Sequence, residues 1–166
     1  MTQSSPCSPL SRALSGFEMR SVETGIPILM ISFEKRRVRP VTPHDAAVWA
    51  DLRFSLWPES SIEDHAAEIE QYFAGKLDEP QTVFFAETDN GGVVGLVELS
   101  IRALVPKCVS SRVGFIEGMY VVPAARNLGV ARLLVRASRA WARSLGCEEF
   151  SSDRAERFII DRRFSR

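Results

Sequence analysis

Val121-Val122-Pro123-Ala124-Ala125-Arg126-Asn127-Leu128-Gly129-Val130-Ala131 is the stretch on which the reading of this chain turns. A β-branched apolar run stops at a proline. Beyond Gly129, apolar residues recur at helical spacing: Val130, Leu133, Leu134, Ala137, Trp141 and Leu145. A strand therefore feeds a loop that opens a helix. The first helical turn presents N–H groups without intrahelical acceptors and the positive end of the helix dipole. With small residues at Gly129 and Ala131, such a turn suits a pyrophosphate. The same residues also fit an ordinary strand-to-helix turn that happens to contain glycine, and the stretch alone leaves both open.

Working outward, Val113 to Val122 reads as a long strand. Before it, Thr82 to Ala86 and Val93 to Arg102 flank Asp89-Asn90-Gly91-Gly92, a hairpin turn by its chemistry. Val105 to Arg112 reads as a polar loop. Further upstream, Thr42, Pro43 and Asp45 make a helix entry. The spacing of Val48, Leu52 and Leu56, flanked by Trp49 and Trp57, predicts a helix that ends at Pro58. Ser60 and Glu63 suggest a capping box for a second helix with the stripe Ile62, Ala66, Ile69, Phe73 and Leu77. Ile31 to Val41 suits an edge strand. Downstream, Gly146 caps the last helix and Cys147 to Ser151 is a short strand, predicted parallel to Val113–Val122 with a right-handed crossover. The fold class expected is α/β, a mixed central sheet flanked by helices. Residues 1–30, rich in serine and proline, read as a disordered leader. Residues 31–153 read as one domain and 154–166 as a separate tail.

Hydrophobic residues make up 45% of the 166-residue chain, enough for one domain's core and too many for wholesale disorder. Lys plus Arg and Asp plus Glu both count 21, and this balance argues against a nucleic-acid binder. Cys7, Cys108 and Cys147 are far apart, and His44 and His65 lack metal-ligand spacing, so no metal centre is expected and both histidines read as surface residues. No apolar run reaches the ~18 residues of a membrane span. The nearest, Gly25 to Phe33, is short and contains Pro27. A cytoplasmic protein fits best.

Arg126, Gly129 and Ala131 resemble the (Arg/Gln)-x-x-Gly-x-(Gly/Ala) signature of the GNAT superfamily, in the same strand–helix setting. Four further blocks resemble its aminoglycoside 6′-N-acetyltransferase branch: Asp51 to Pro58, Glu98 to Arg102, Phe115 to Pro123 and Cys147 to Asp153. The resemblance implies acetyl-CoA as co-substrate. It implies that the backbone of Met119, Tyr120 and Val121 meets the pantetheine arm and thioester, and that Arg126, Asn127, Leu128, Gly129, Val130 and Ala131 cradle the phosphates. It places Glu117 and Asp153 beside the acceptor amine as proton acceptors, and Trp57 with Glu117 in the substrate wall. An aminoglycoside acceptor and a homodimer go with it.

Glu117 draws notice independently, because it interrupts an apolar strand on what alternation makes the face of Phe115 and Met119. A salt bridge to a nearby arginine would explain it equally well, and Trp57 fits a helix-end core position as well as a substrate contact. Full members of the branch continue with a helix and two strands carrying a His-x-x-Leu-Gly-Phe segment. Residues 154–166 do not match them, so a fold lacking its final helix and strands is expected. Val105 stands where the branch has a pocket tyrosine. A GNAT enzyme acting on another amine, or an inactive truncated remnant, are the alternatives.

Overall fold

The structure, a computed structural model, describes residues 35–152. In chain order it contains β1 (Arg36–Pro40), α1 (Ala46–Leu56), α2 (Ile62–Phe73), β2 (Thr82–Thr88), β3 (Val93–Arg102), β4 (Val113–Val121), α3 (Val130–Ser144) and β5 (Glu149–Ser152). The five strands lie in chain order in one sheet, antiparallel up to β4, with β5 parallel to β4 as the crossover predicts. The hairpin forms at the expected turn, where Thr88 N–H donates to Gly92 O and Gly91 N–H to Thr88 O, each at 2.9 Å.

A core lies on each sheet face. Val130 and Leu134 of α3 meet Val97, Leu99, Ile116 and Phe150 on one side. On the other, Trp49, Leu52 and Ile69 from α1 and α2 meet Val83, Phe85 and Leu96. Thr42 N–H donates to Asp45 Oδ2 at 2.7 Å, and Arg39 grips both Asp45 oxygens at 2.8 Å, so the first helix entry is tied to the edge strand. This grip holds the Asp45 carboxyl well below the usual carboxylate range.

Several local expectations shift. Val48 is 40% exposed, whereas Trp49, Ala50 and Leu52 are buried, because α1 packs on α2 as well as on the sheet and its apolar face is broader than a single stripe. The α2 cap is Ser61, paired with Asp64, one residue later than Ser60 and Glu63. That register turns Ile62 and Ala66 outward and buries His65, whose Nε2–H donates to Trp57 O at 3.1 Å. His65 is thus an internal tie between the helices, not a surface residue. On α3 the buried row is Val130, Leu134, Ser138 and Ala142. Leu145 lies outside it, where Cys147 N–H bonds Ala142 O and Gly146 N–H bonds Arg143 O to close the helix. Val105 is buried against Val113 and Phe115. Among the described residues, no helix is long and apolar enough to cross a membrane. The leader (1–30) and the tail (154–166) lie outside the described residues.

Candidate active site

β4 pairs with β5 only over Val113–Ile116. From Glu117 to Val121 it keeps β3 on one side, and no strand among the described residues occupies the other. This one-sided edge runs from a carboxylate to a helix N-terminus.

At the helix end, a short turn over Pro123–Ala125 leads to Asn127 at φ 64° and Gly129 at φ 83°, the latter capping α3. A side chain at Gly129 would meet no atom within 4 Å, so glycine is required by the backbone angle and not by crowding. The open space above it is room for a ligand. A cleft of about 880 Å³ spans this region, lined by Ser55 and Leu56 of α1, by Met119, Tyr120 and Val121, and by Ala125, Arg126, Asn127, Gly129, Val130, Ala131 and Arg132. Arg126 Nε–H donates to Val121 O at 3.1 Å while its guanidinium lies 5.8 Å from the Tyr120 ring centre. Every predicted phosphate-loop residue lines this cleft except Leu128, which packs on the α3-side core.

The carboxylate end is built by an irregularity. Glu98 opposes Gly118, yet Leu99 opposes Ile116, so Glu117 is the extra residue of a β-bulge. Met119 consequently packs on the α3-side core, while Glu117 meets Arg102, whose guanidinium lies 4.3 Å from the Phe115 ring centre. The bulge thus separates Glu117 from the face of Met119, against simple alternation. Arg102 Nε–H donates to Glu117 Oε1 at 2.9 Å and its Nη2 to Oε2 at 2.5 Å, and Nη2 also reaches Glu79 at 3.4 Å. The arginine that a salt bridge demanded is therefore Arg102. Burial pushes the Glu117 carboxyl up, Arg102 pulls it back, and the net displacement is upward.

Trp57 is half-buried and its six-membered ring is in close contact with Gly118. A Cβ at Gly118 would stand 2.3 Å from the ring, so only glycine admits the tryptophan beside the bulge. Arg53 stands 5.3 Å from the ring centre and is itself paired with Glu68 at 2.7 Å and Glu98 at 3.2 Å. Glu98, 1% exposed, accepts Trp49 Nε1–H at 2.7 Å, and burial raises its carboxyl despite Arg53. This support behind Trp57 was not foreseen, although a carboxylate inside the apolar run Val93–Leu99 was a visible signal. Trp57 and Glu117 sit past Gly118, next to the cleft rather than among the residues lining it. Asp153 lies outside the described residues; its predecessor Ser152 pairs with Ile116, one residue before Glu117.

A strand edge left open beside a glycine-capped helix is the arrangement in which a phosphate-bearing thioester can lie as an extra strand. Residues 47–159 match the model of the acetyltransferase (GNAT) family. The chain belongs to the GNAT acetyltransferase family. Among GNAT relatives, the aminoglycoside N(6′)-acetyltransferase type 1 of Klebsiella aerogenes is 45% identical over 116 residues, covering 70% of this chain and 76% of that protein. The enzyme of the same name from Stenotrophomonas maltophilia is 43% identical over 117 residues, with 70% and 73% covered. A solved GNAT structure, AAC(6′)-Iy in complex with the bisubstrate analog CoA-S-monomethyl-acetylneamine, superposes with a TM-score of 0.66 at 33% identity, covering 74% of this chain and 81% of that one.

Proposed function

We propose that this GNAT chain transfers the acetyl group of acetyl-CoA to the 6′-amine of an aminoglycoside. The observation that carries it is the continuity of the β4 edge, with a glycine-capped helix N-terminus at one end and the Glu117 carboxylate at the other. The sequence kinship to aminoglycoside N(6′)-acetyltransferases supports the acceptor class.

The backbone N–H groups of the turn from Arg126 through Asn127, Leu128, Gly129, Val130 and Ala131 receive the pyrophosphate. The backbone of Met119 and Val121 pairs with the pantetheine arm, and an N–H at Met119 or Tyr120 polarises the thioester carbonyl. The acceptor amine arrives as ammonium. Glu117, directly or through a water, takes its proton, with Asp153 as the second carboxylate. The free amine then attacks the carbonyl, the amide C–N bond forms and the C–S bond breaks, with the electron pair leaving on sulfur, which takes up the second proton that the nitrogen sheds and departs as the CoA thiol. Trp57 supplies an apolar wall for the sugar ring.

Because Glu117 is displaced upward, it ionises at a higher pH than an ordinary glutamate, and the acid limb of kcat/KM shifts upward with it. NMR of the product from kanamycin A tests the assignment. Acetyl on the 6′-nitrogen is the expected result; acetylation elsewhere, or of polyamines alone, overturns it. We place the reaction in the cytoplasm, in a homodimer. Light scattering at twice the chain mass is the corresponding expectation, and the chain mass alone contradicts the dimer.

A further inference from the structure

Beside the bulge, two carboxylates share one guanidinium. Arg102 Nη2 is bonded to Glu117 Oε2 at 2.5 Å and reaches Glu79 Oε2 at 3.4 Å. The Phe115 ring lies under the guanidinium, 4.3 Å from its centre. A cation on an aromatic face is attracted to that face without being fixed to one point on it. The ring therefore leaves the guanidinium room to turn toward either acid. Their environments differ: the Glu117 side chain is 17% exposed and that of Glu79 is 46% exposed. Arg102 bonds the drier carboxylate with two nitrogens and the wetter one with a single, longer contact.

With both acids ionised, one negative charge in this trio has no partner within it. The trio is one cation short, and an arriving ammonium would complete it. Arg102 also occupies the carboxylate oxygens that such an ammonium needs. We propose that Arg102 stands in for the substrate's ammonium in the free enzyme and is handed to Glu79 when the acceptor amine takes Glu117. Arg102 is on this account a positioning residue that sets selectivity. A polycation, whose further ammonium groups compensate the acidic surroundings, displaces it readily; a monoamine does so poorly. The inference rests on the aminoglycoside reading above and adds to it the exchange of cations at Glu117.

The groups facing Glu117 are few enough to test. β3 supplies Arg102, and the segment before β2 supplies Glu79. On α1 the nearest cation, Arg53, is engaged by Glu98 and Glu68.

The experiment is a double-mutant cycle of Arg102→Gln and Glu79→Gln, read as KM and kcat for kanamycin A across pH 6–9. Removing the stand-in lowers KM by about tenfold at the alkaline end, a change worth one decade of affinity. It also moves the acid limb of kcat/KM further upward, because Glu117 loses its cation. Removing Glu79 in the wild-type background raises KM, since Arg102 then has nowhere to go. In the R102Q background, Glu79→Gln leaves KM where the first substitution set it. Simple long-range electrostatics predicts instead the same Glu79→Gln shift in both backgrounds, and that additivity overturns the handover. So does a rise in KM in R102Q with the acid limb unmoved, the mark of a merely structural ion pair. Arg102→Lys, which keeps the charge but loses the fork, falls between wild type and R102Q. If R102Q does not fold, a wild-type-like KM in R102K overturns the proposal on its own. Absence of turnover in the wild type with every aminoglycoside overturns the acceptor assignment and this inference together; turnover with an additive cycle overturns this inference alone.

Discussion

The two ends of the open β4 edge are built from different materials. The end proposed to take the acetyl donor, from Met119 to Ala131, is backbone: a strand edge, two residues at positive φ and the first turn of α3. The end proposed to take the acceptor is side chain: Glu117 on its bulge, Arg102 on Phe115, and Trp57 against Gly118 with Arg53 and Glu98 behind it. A site made of N–H groups tolerates many side chains so long as the chain follows the right path. A site made of charges depends on which residues the fold brings together, and one substitution can remove its chemistry. One fold can thus keep its donor half and change its acceptor.

The sharpest break of this contrast is Glu117→Gln. Removing the proposed proton acceptor lowers kcat/KM for kanamycin A by about 10²–10⁴-fold, whereas acetyl-CoA affinity measured by calorimetry stays within about twofold of wild type. A parallel collapse of acetyl-CoA binding would mean that the two halves are not separable. The reciprocal break is Gly129→Val. A β-branched residue at φ 83° costs about 1–3 kcal/mol of backbone strain, so the first turn of α3 moves and acetyl-CoA affinity falls by about 10–100-fold in the same calorimetric assay. A smaller effect is expected at Trp57→Ala, where loss of the aromatic wall raises the acceptor KM by about 3–10-fold, the span of aromatic contact energies, and leaves the acetyl-CoA KM unchanged. The smallest belongs to Asn127→Gly. Glycine adopts φ 64° at least as readily as asparagine, so both KM values should stay within about twofold in steady-state kinetics. A large loss there would show that the loop acts through the asparagine side chain.

The same contrast explains what the sequence made legible. The strand, turn and helix from Val113 to Ser144 were readable because their requirements are local: a β-branched run, a proline, small residues and a 3.6-residue period follow one another along the chain. The hairpin and the parallel β4–β5 pair were readable for similar reasons. The surroundings of Glu117 were readable only in part. Glu117 stood out as a carboxylate in an apolar strand, but the bulge that turns it from the face of Met119 is a matter of register against β3, which no local pattern encodes. Arg102 lies 15 residues from Glu117 along the chain, and only the β3–β4 pairing brings them together. His65 read as solvent-facing because its neighbours are polar, yet the Ser61 cap sets a helix phase that points it at Trp57 O. Val48 was assigned to the core of α1 because a four-residue repeat is a weak guide for a helix packed on two sides.

The central claim is that one strand edge joins an acetyl donor site to an aminoglycoside acceptor site. The most direct test is the release of CoA thiol from acetyl-CoA by the purified chain, with kanamycin, tobramycin and spermidine as acceptors and Glu117→Gln run alongside. The account predicts rapid release with both aminoglycosides, slower release with spermidine, which offers no sugar ring to Trp57, and loss of the aminoglycoside signal in the variant. Release that favours spermidine, or that survives Glu117→Gln at full rate, would contradict it.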